Sequence, residues 1–207
     1  MDKWWGKGRV VMLAAAGVLV LASLSSPMWS IYLWCNSYPD GIGMSVYAYK
    51  PADPPDVADM DGGIDELDVL NHYIGMHPIS PDLIIFKILP VGIVALGLLL
   101  IIAAFWKRRW FLYSVVGLNG LLGIYGASSF VYYIYSYGHD LDPNAAIHVD
   151  PFMPPLMGEN QLAQFTTWSQ FELGTMLLIL GSALAFITAG IEWWIDRKNH
   201  RAMYSIT

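Results

Sequence analysis

The chain has 207 residues, of which 56% are apolar and only 14% charged, with a formal net charge of −6. That composition excludes an ordinary soluble domain. Its basic residues flank apolar runs, which a membrane explains, so nothing in the sequence points to nucleic-acid binding.

Four apolar runs are long enough to cross the roughly 30 Å hydrocarbon core of a bilayer as helices. These runs are residues 10–33, 83–106, 110–137 and 171–195. We therefore predict an all-α membrane protein in which residues 1–207 form a single membrane domain with four transmembrane helices. The two outer loops, 34–82 and 138–170, are expected to fold together as a small cap.

The first run has a second interpretation. Lys3, Lys7 and Arg9 ahead of an apolar stretch also describe a signal peptide, and residues 22–25 are similar to a cleavage site. Apolar and aromatic character continues to Trp34, which favours a retained span.

Most of the 11 basic residues lie in three short segments. These are Lys3, Lys7 and Arg9; Lys107, Arg108 and Arg109; and Arg197, Lys198 and Arg201. Four spans place all three segments on one side, which the positive-inside rule makes cytoplasmic. We expect a multi-pass protein of the bacterial inner membrane with both termini in the cytoplasm and both outer loops facing away from it.

The first outer loop begins with a turn signal at residues 39–41. Alternation over residues 44–49 then predicts a short strand. Residues 65–76 have helical spacing of apolar side chains, which predicts an amphipathic helix with Asp65 as N-cap. The second outer loop is rich in turns and proline until Glu159, after which a short helix is expected to lead into the last span.

The outer loops hold four of the five histidines and several methionines. On a helix, His72 and Met76 would share a face, with His77 adjacent. Thioether sulfur and imidazole together favour Cu(I). The sequence thus predicts a copper site with His72 and Met76 as leading ligands, supported by His77, His139 and Met153.

Structural roles compete with this prediction. Methionines beside a membrane surface usually pack, and a histidine at a helix end can cap carbonyl groups. Asp140, Asp142 and Asn144 begin like a calcium loop, but the expected glycine and glutamate of that loop are absent. Cys35 is the single cysteine and is read as a small buried residue, with a thiolate ligand as the alternative.

Several enzyme and redox classes find no support. No histidine falls inside a predicted span, which excludes a haem held there by histidine ligands. The chain contains no phosphate-binding loop, dinucleotide fingerprint or nucleophile elbow. We therefore predict no catalytic residues, and an enzyme that uses the outer acids remains a minor alternative.

Three stretches together are distinctive: PMWSIYLWCNSYPDGIGM (27–44), LDVLNHYIGMHPI (67–79) and GHDLDPNAAIHVDPFMPPLMG (138–158). They resemble a family of small bacterial four-helix membrane proteins associated with nitrous-oxide reductase maturation and other copper-enzyme accessory genes. Members of that family tend to have APQYP where this chain has CNSYP, and lysine where His77 and His148 stand. The resemblance supplies no catalytic residues.

The resemblance implies a setting in copper-dependent respiratory enzymology, with the outer loops as the working surface. Together with the histidines and methionines, it predicts a non-enzymatic accessory protein that handles copper or docks a copper-containing enzyme. Its expected partners are the lipid bilayer and a larger membrane or periplasmic enzyme complex. The alternative is a structural subunit of a membrane redox complex that carries no metal of its own.

Overall fold

A computed structural model of the protein describes residues 3–162 and 165–204. Within them lie five α-helices and one five-stranded antiparallel sheet. The helices are α1 (Lys3–Ala22), α2 (Ile64–Tyr73), α3 (Ile84–Phe105), α4 (Arg109–His139) and α5 (Leu173–Tyr204). The strands are β1 (Trp29–Cys35), β2 (Tyr38–Val46), β3 (Pro51–Ala52), β4 (Gly158–Leu162) and β5 (Phe165–Phe171), in the spatial order β3-β2-β1-β5-β4.

The prediction of an all-α fold is wrong because part of the first apolar run is a strand. Helix α1 ends at Ala22, and a short 3₁₀ turn over Ser23–Ser25 follows it. Pro27 has no backbone N–H and restricts the residue before it, so the helix cannot continue. The next apolar residues, WSIYLWC, are mostly aromatic or branched and form β1, the central strand of the sheet.

The short helix expected before the last span is also wrong, because that segment contains β4 and β5. Strand β5 pairs with β1 from Trp29↔Phe171 to Trp34↔Thr166. On its other side β1 pairs with β2, from Trp29↔Val46 to Cys35↔Tyr38. The two outer loops therefore share one sheet.

Helix α2 is correctly predicted in type, but it is shorter than expected. Its first N–H, that of Ile64, donates to Asp53 Oδ1 at 2.9 Å, so Asp53 rather than Asp65 satisfies the helix start. At the other end Gly75 has φ 78°, and the N–H of Met76 donates to the carbonyl of Asn71 at 2.8 Å. This is a Schellman end, and it stops the helix before Met76.

Four of the helices are long and apolar enough to cross a membrane, as predicted. Within the described part of the chain they cover Trp5–Ser25, Ile84–Phe105, Arg109–His139 and Leu173–Lys198. The first ends well before residue 33, and the last begins after β5.

The chain divides into two compact units, and each unit includes parts of the long helices. Unit 1 combines α1 with Gly92–Gly123 and the part of α5 from Leu177 onward. Unit 2 comprises Ser23–Val91 and Ile124–Met176, and so contains the sheet and α2.

Unit 1 holds a buried ionic cluster. Arg9 Nε lies 3.0 Å from Glu192 Oε2, with the two side chains only 2% and 3% exposed. Arg9 Nη2 also donates to the carbonyl of Trp106 at 3.1 Å, and Arg109 pairs with Asp196. These contacts bring the N-terminal part of α1, the α3–α4 connection and the C-terminal part of α5 together at one end of unit 1.

Candidate functional site

A recess of about 660 Å³ lies in unit 2 between the end of α2 and the second outer loop. It is lined by residues from 72–78 and 140–146, and we refer to it as the loop recess. Backbone hydrogen bonds hold its two sides together, since Asp142 N donates to Gly75 O at 2.8 Å and Ile147 N donates to Tyr73 O at 3.0 Å. Both walls are therefore fixed by main-chain contacts.

Three of the predicted copper ligands line the loop recess, namely His72, Met76 and His77. His72 lies on the last turn of α2, whereas Met76 follows the positive-φ residue Gly75. The expected shared helical face is therefore absent, and the Schellman end brings Met76 to the recess instead. The side chains of His72 and His77 are exposed.

His77 has a hydrogen-bond partner that was not predicted from the sequence. Its Nε2 lies 2.8 Å from Asp140 Oδ2, and its ring meets Tyr137 edge-on. When Nε2 carries the proton and donates it to the carboxylate, Nδ1 presents a free lone pair. Carboxylates orient metal-binding histidines in this way. Asp140 attracted notice in the sequence only as part of a weak calcium-loop match.

The other two predicted ligands lie elsewhere in unit 2. His139 stacks on Tyr135 with ring centroids 3.8 Å apart, and its Nδ1 lies 3.0 Å from the Tyr135 carbonyl oxygen. Met153 lines a separate apolar pocket. Neither residue borders the loop recess.

The calcium-like residues form a turn. Asp142 Oδ1 accepts hydrogen bonds from the backbone N–H and the side-chain amide of Asn144, at 2.8 and 3.2 Å. This is an Asx turn, which accounts for the pattern without a cation. Among the described residues, no three His, Cys, Asp or Glu side chains are grouped to hold a metal, so a site in the loop recess would need the Met76 thioether.

The apolar pocket is the second concave feature of unit 2. Its volume is about 300 Å³, and it lies between one face of the sheet, α2, and the ends of α3 and α4. Most of its lining side chains are aliphatic or aromatic. Pockets of this size and character are typical of sites that bind small apolar molecules.

Tyr32 of β1 lies outside the membrane-crossing helices and has a marked pKa shift. Burial raises the pKa of Tyr32 to about 12, with further contributions from the carboxylates of Asp56 and Glu172. The hydroxyl therefore stays protonated near neutral pH and donates to Asp56 Oδ1 at 3.4 Å. It is unsuited to act as a general base there.

The four apolar helices, joined to a sheet-bearing unit, fit the class of multi-pass membrane proteins. A particular family is not defined by comparison with known proteins: no family model matches the chain, and no curated protein matches it either. Functional assignment therefore depends on the two concave features of unit 2.

Proposed function

We propose that this protein is a non-enzymatic accessory protein of the bacterial inner membrane that handles Cu(I) for a copper-containing respiratory enzyme. The observation that carries the proposal is the loop recess, where two imidazoles and a thioether line one concavity. Soft sulfur and imidazole donors select Cu(I) over hard cations. The orientation of His77 by Asp140 supports the same assignment.

The charge distribution supports a location of the loop recess on the outer side. Three basic segments flank the spans at the termini and between α3 and α4, and the contacts of Arg9 and Arg109 gather these segments at one end of unit 1. With the basic segments in the cytoplasm, four membrane crossings place the two outer loops in the periplasm. Copper-dependent respiratory enzymes that act in that compartment would be within its reach.

Copper binding is tested on the purified full-length protein by anaerobic titration with Cu(I) against a chromogenic chelator. We expect about one Cu(I) per chain with sulfur and nitrogen ligands in its X-ray absorption spectrum. His72→Ala and Met76→Ala should each abolish this binding, because each removes a ligand. Asp140→Ala should weaken it by about 10- to 100-fold, the usual effect of losing the group that orients a ligand.

Met157→Ala is the matched control. Met157 is 71% exposed and does not border the loop recess. This variant should bind Cu(I) like the parent protein. A parent protein that binds no Cu(I) above background, but co-purifies with a large membrane complex in mild detergent, would favour the structural-subunit alternative.

A further inference from the structure

We infer that the apolar pocket of unit 2 is a binding site for an acyl chain of a membrane phospholipid, with an ester carbonyl placed at the Asn71 amide. This goes beyond the copper proposal, since it uses a different cavity. Met76 alone among the proposed copper ligands borders both concavities.

The pocket walls are built to hold hydrocarbon. Alternate residues of the central strands point the same way, so Ile31 and Leu33 of β1 line the pocket beside Met44 and Val46 of β2. Leu70 of α2 lies opposite them as another lining residue. The volume of about 300 Å³ is roughly twice that of an engineered apolar cavity that binds benzene, so it can accept a segment of acyl chain.

Membrane-crossing helices supply another part of the lining, which argues for a ligand from the bilayer. Ile85 and Phe86 come from the first turn of α3, and Phe130 and Ile134 come from the last turns of α4. Helix ends of this kind lie near the level of the lipid headgroups. The proposed ligand therefore comes from the bilayer rather than from water.

Asn71 places a side-chain amide in the pocket lining. The residue is only 9% exposed, and among the described residues no hydrogen bond joins its side chain to another group. Two other polar groups in the lining are engaged: Thr167 Oγ1 donates to the Asn160 carbonyl, and the Tyr137 hydroxyl donates to the Pro78 carbonyl, both at 3.0 Å. A buried amide needs an acceptor for its N–H groups, and an ester carbonyl provides one.

Photolabelling of the full-length protein in nanodiscs tests the inference. A trace of phosphatidylcholine with a diazirine in its acyl chain is included, and labelled peptides are mapped by mass spectrometry after irradiation. We expect adducts within residues 67–79 and 152–155. Leu70→Trp should reduce them at least about fivefold, because the indole occupies the pocket and overpacking is unfavourable.

Val69→Trp is the matched control, because Val69 is the adjacent residue of α2 and is 56% exposed. It should leave pocket labelling unchanged. Asn71→Leu nearly preserves volume, so it is a second variant that is expected to fold. It should reduce labelling about two- to tenfold, the effect of one hydrogen bond.

Adducts confined to the exposed faces of α3, α4 and α5 in the parent protein would overturn the inference. Pocket labelling that neither Leu70→Trp nor Asn71→Leu reduces would do the same. A second experiment adds a diazirine fatty acid to discs of ordinary lipid. Labelling of the pocket by the free acid but not by the phospholipid would contradict a phospholipid as the ligand.

Discussion

Replacement of Arg9 by leucine is expected to lower the free energy of unfolding by about 3–5 kcal/mol, because it leaves the buried carboxylate of Glu192 without its closest cation. The pair is 3.0 Å apart with both side chains almost fully buried. Arg109 lies 3.9 Å from the other carboxylate oxygen but is 45% exposed, so it compensates only in part. The Trp106 carbonyl also loses the hydrogen bond from Arg9. Unfolding of the purified protein by denaturing detergent measures the effect.

Two further variants separate burial of charge from loss of packing. The double variant Arg9→Leu, Glu192→Leu removes both charges and should recover most of the lost stability, since apolar replacement of a whole buried pair is often neutral. Arg108→Leu changes an exposed neighbouring cation and should stay within about 0.5 kcal/mol of the parent. Stability of Arg9→Leu equal to that of Arg108→Leu would refute a buried ion pair in unit 1.

Substitution of Gly138 by alanine should destabilise unit 2. Overpacking typically costs about 1–3 kcal/mol, and we expect a value at the upper end of that range. A β-carbon on Gly138 would overlap the carbonyl oxygen of Phe152 and would lie 2.9 Å from Pro154 Cδ. The obstacle is largely backbone, and Phe152 N also donates to Gly138 O at 3.0 Å. The loop beside the apolar pocket must therefore shift. Thermal unfolding reports the loss as a lower Tm.

Gly117→Ala is the control for this change, because Gly117 lies in the same helix and, apart from the adjacent helix backbone, no atom of the described residues would come within 4 Å of its new β-carbon. Alanine is the better helix former by about 1 kcal/mol, so this variant should match or exceed the parent in Tm. A Gly138→Ala protein as stable as Gly117→Ala would mean that the loop does not pack against α4 as described.

The membrane-crossing helices could be predicted from the sequence because their signal is local. Each run of apolar residues satisfies its own backbone groups, so length and composition suffice. The basic segments could also be recognised locally, because their residues are close together in the sequence. The sequence does not show that Arg9 of the first segment pairs with the buried Glu192 of α5.

The sheet was missed because its pairing is not local. Residues 29–33 are apolar enough to extend the first span, and their alternation is obscured by aromatic side chains on both faces of β1. Strand β5, FTTWSQF, has its aromatic residues three positions apart rather than in alternation, and its partner β1 lies far away in the chain. Only Pro27 hinted that helix α1 must end before the strand.

The site was predictable in part for the same reason. His72, Met76 and His77 are close in sequence, and the structure brings them to one recess. Asp140 arrives from the other outer loop through the contact between Asp142 and Gly75, which no local pattern reports. His139 and Met153 were predicted as ligands on residue type alone. In the structure His139 contacts Tyr135, and Met153 lines the apolar pocket.

The proposed periplasmic copper site requires that unit 2 face away from the cytoplasm, and Cys35 offers a direct test. It is the sole cysteine, a free and partly exposed thiol at the end of β1. A membrane-impermeant maleimide is applied to spheroplasts, with detergent-treated samples as the reference for thiol reactivity. The matched variant Cys35→Ser, Arg108→Cys places a single thiol between α3 and α4. We predict modification of Cys35 in intact spheroplasts and of the cysteine at position 108 only after detergent; the reverse pattern would contradict the proposed orientation and, with it, the periplasmic copper site.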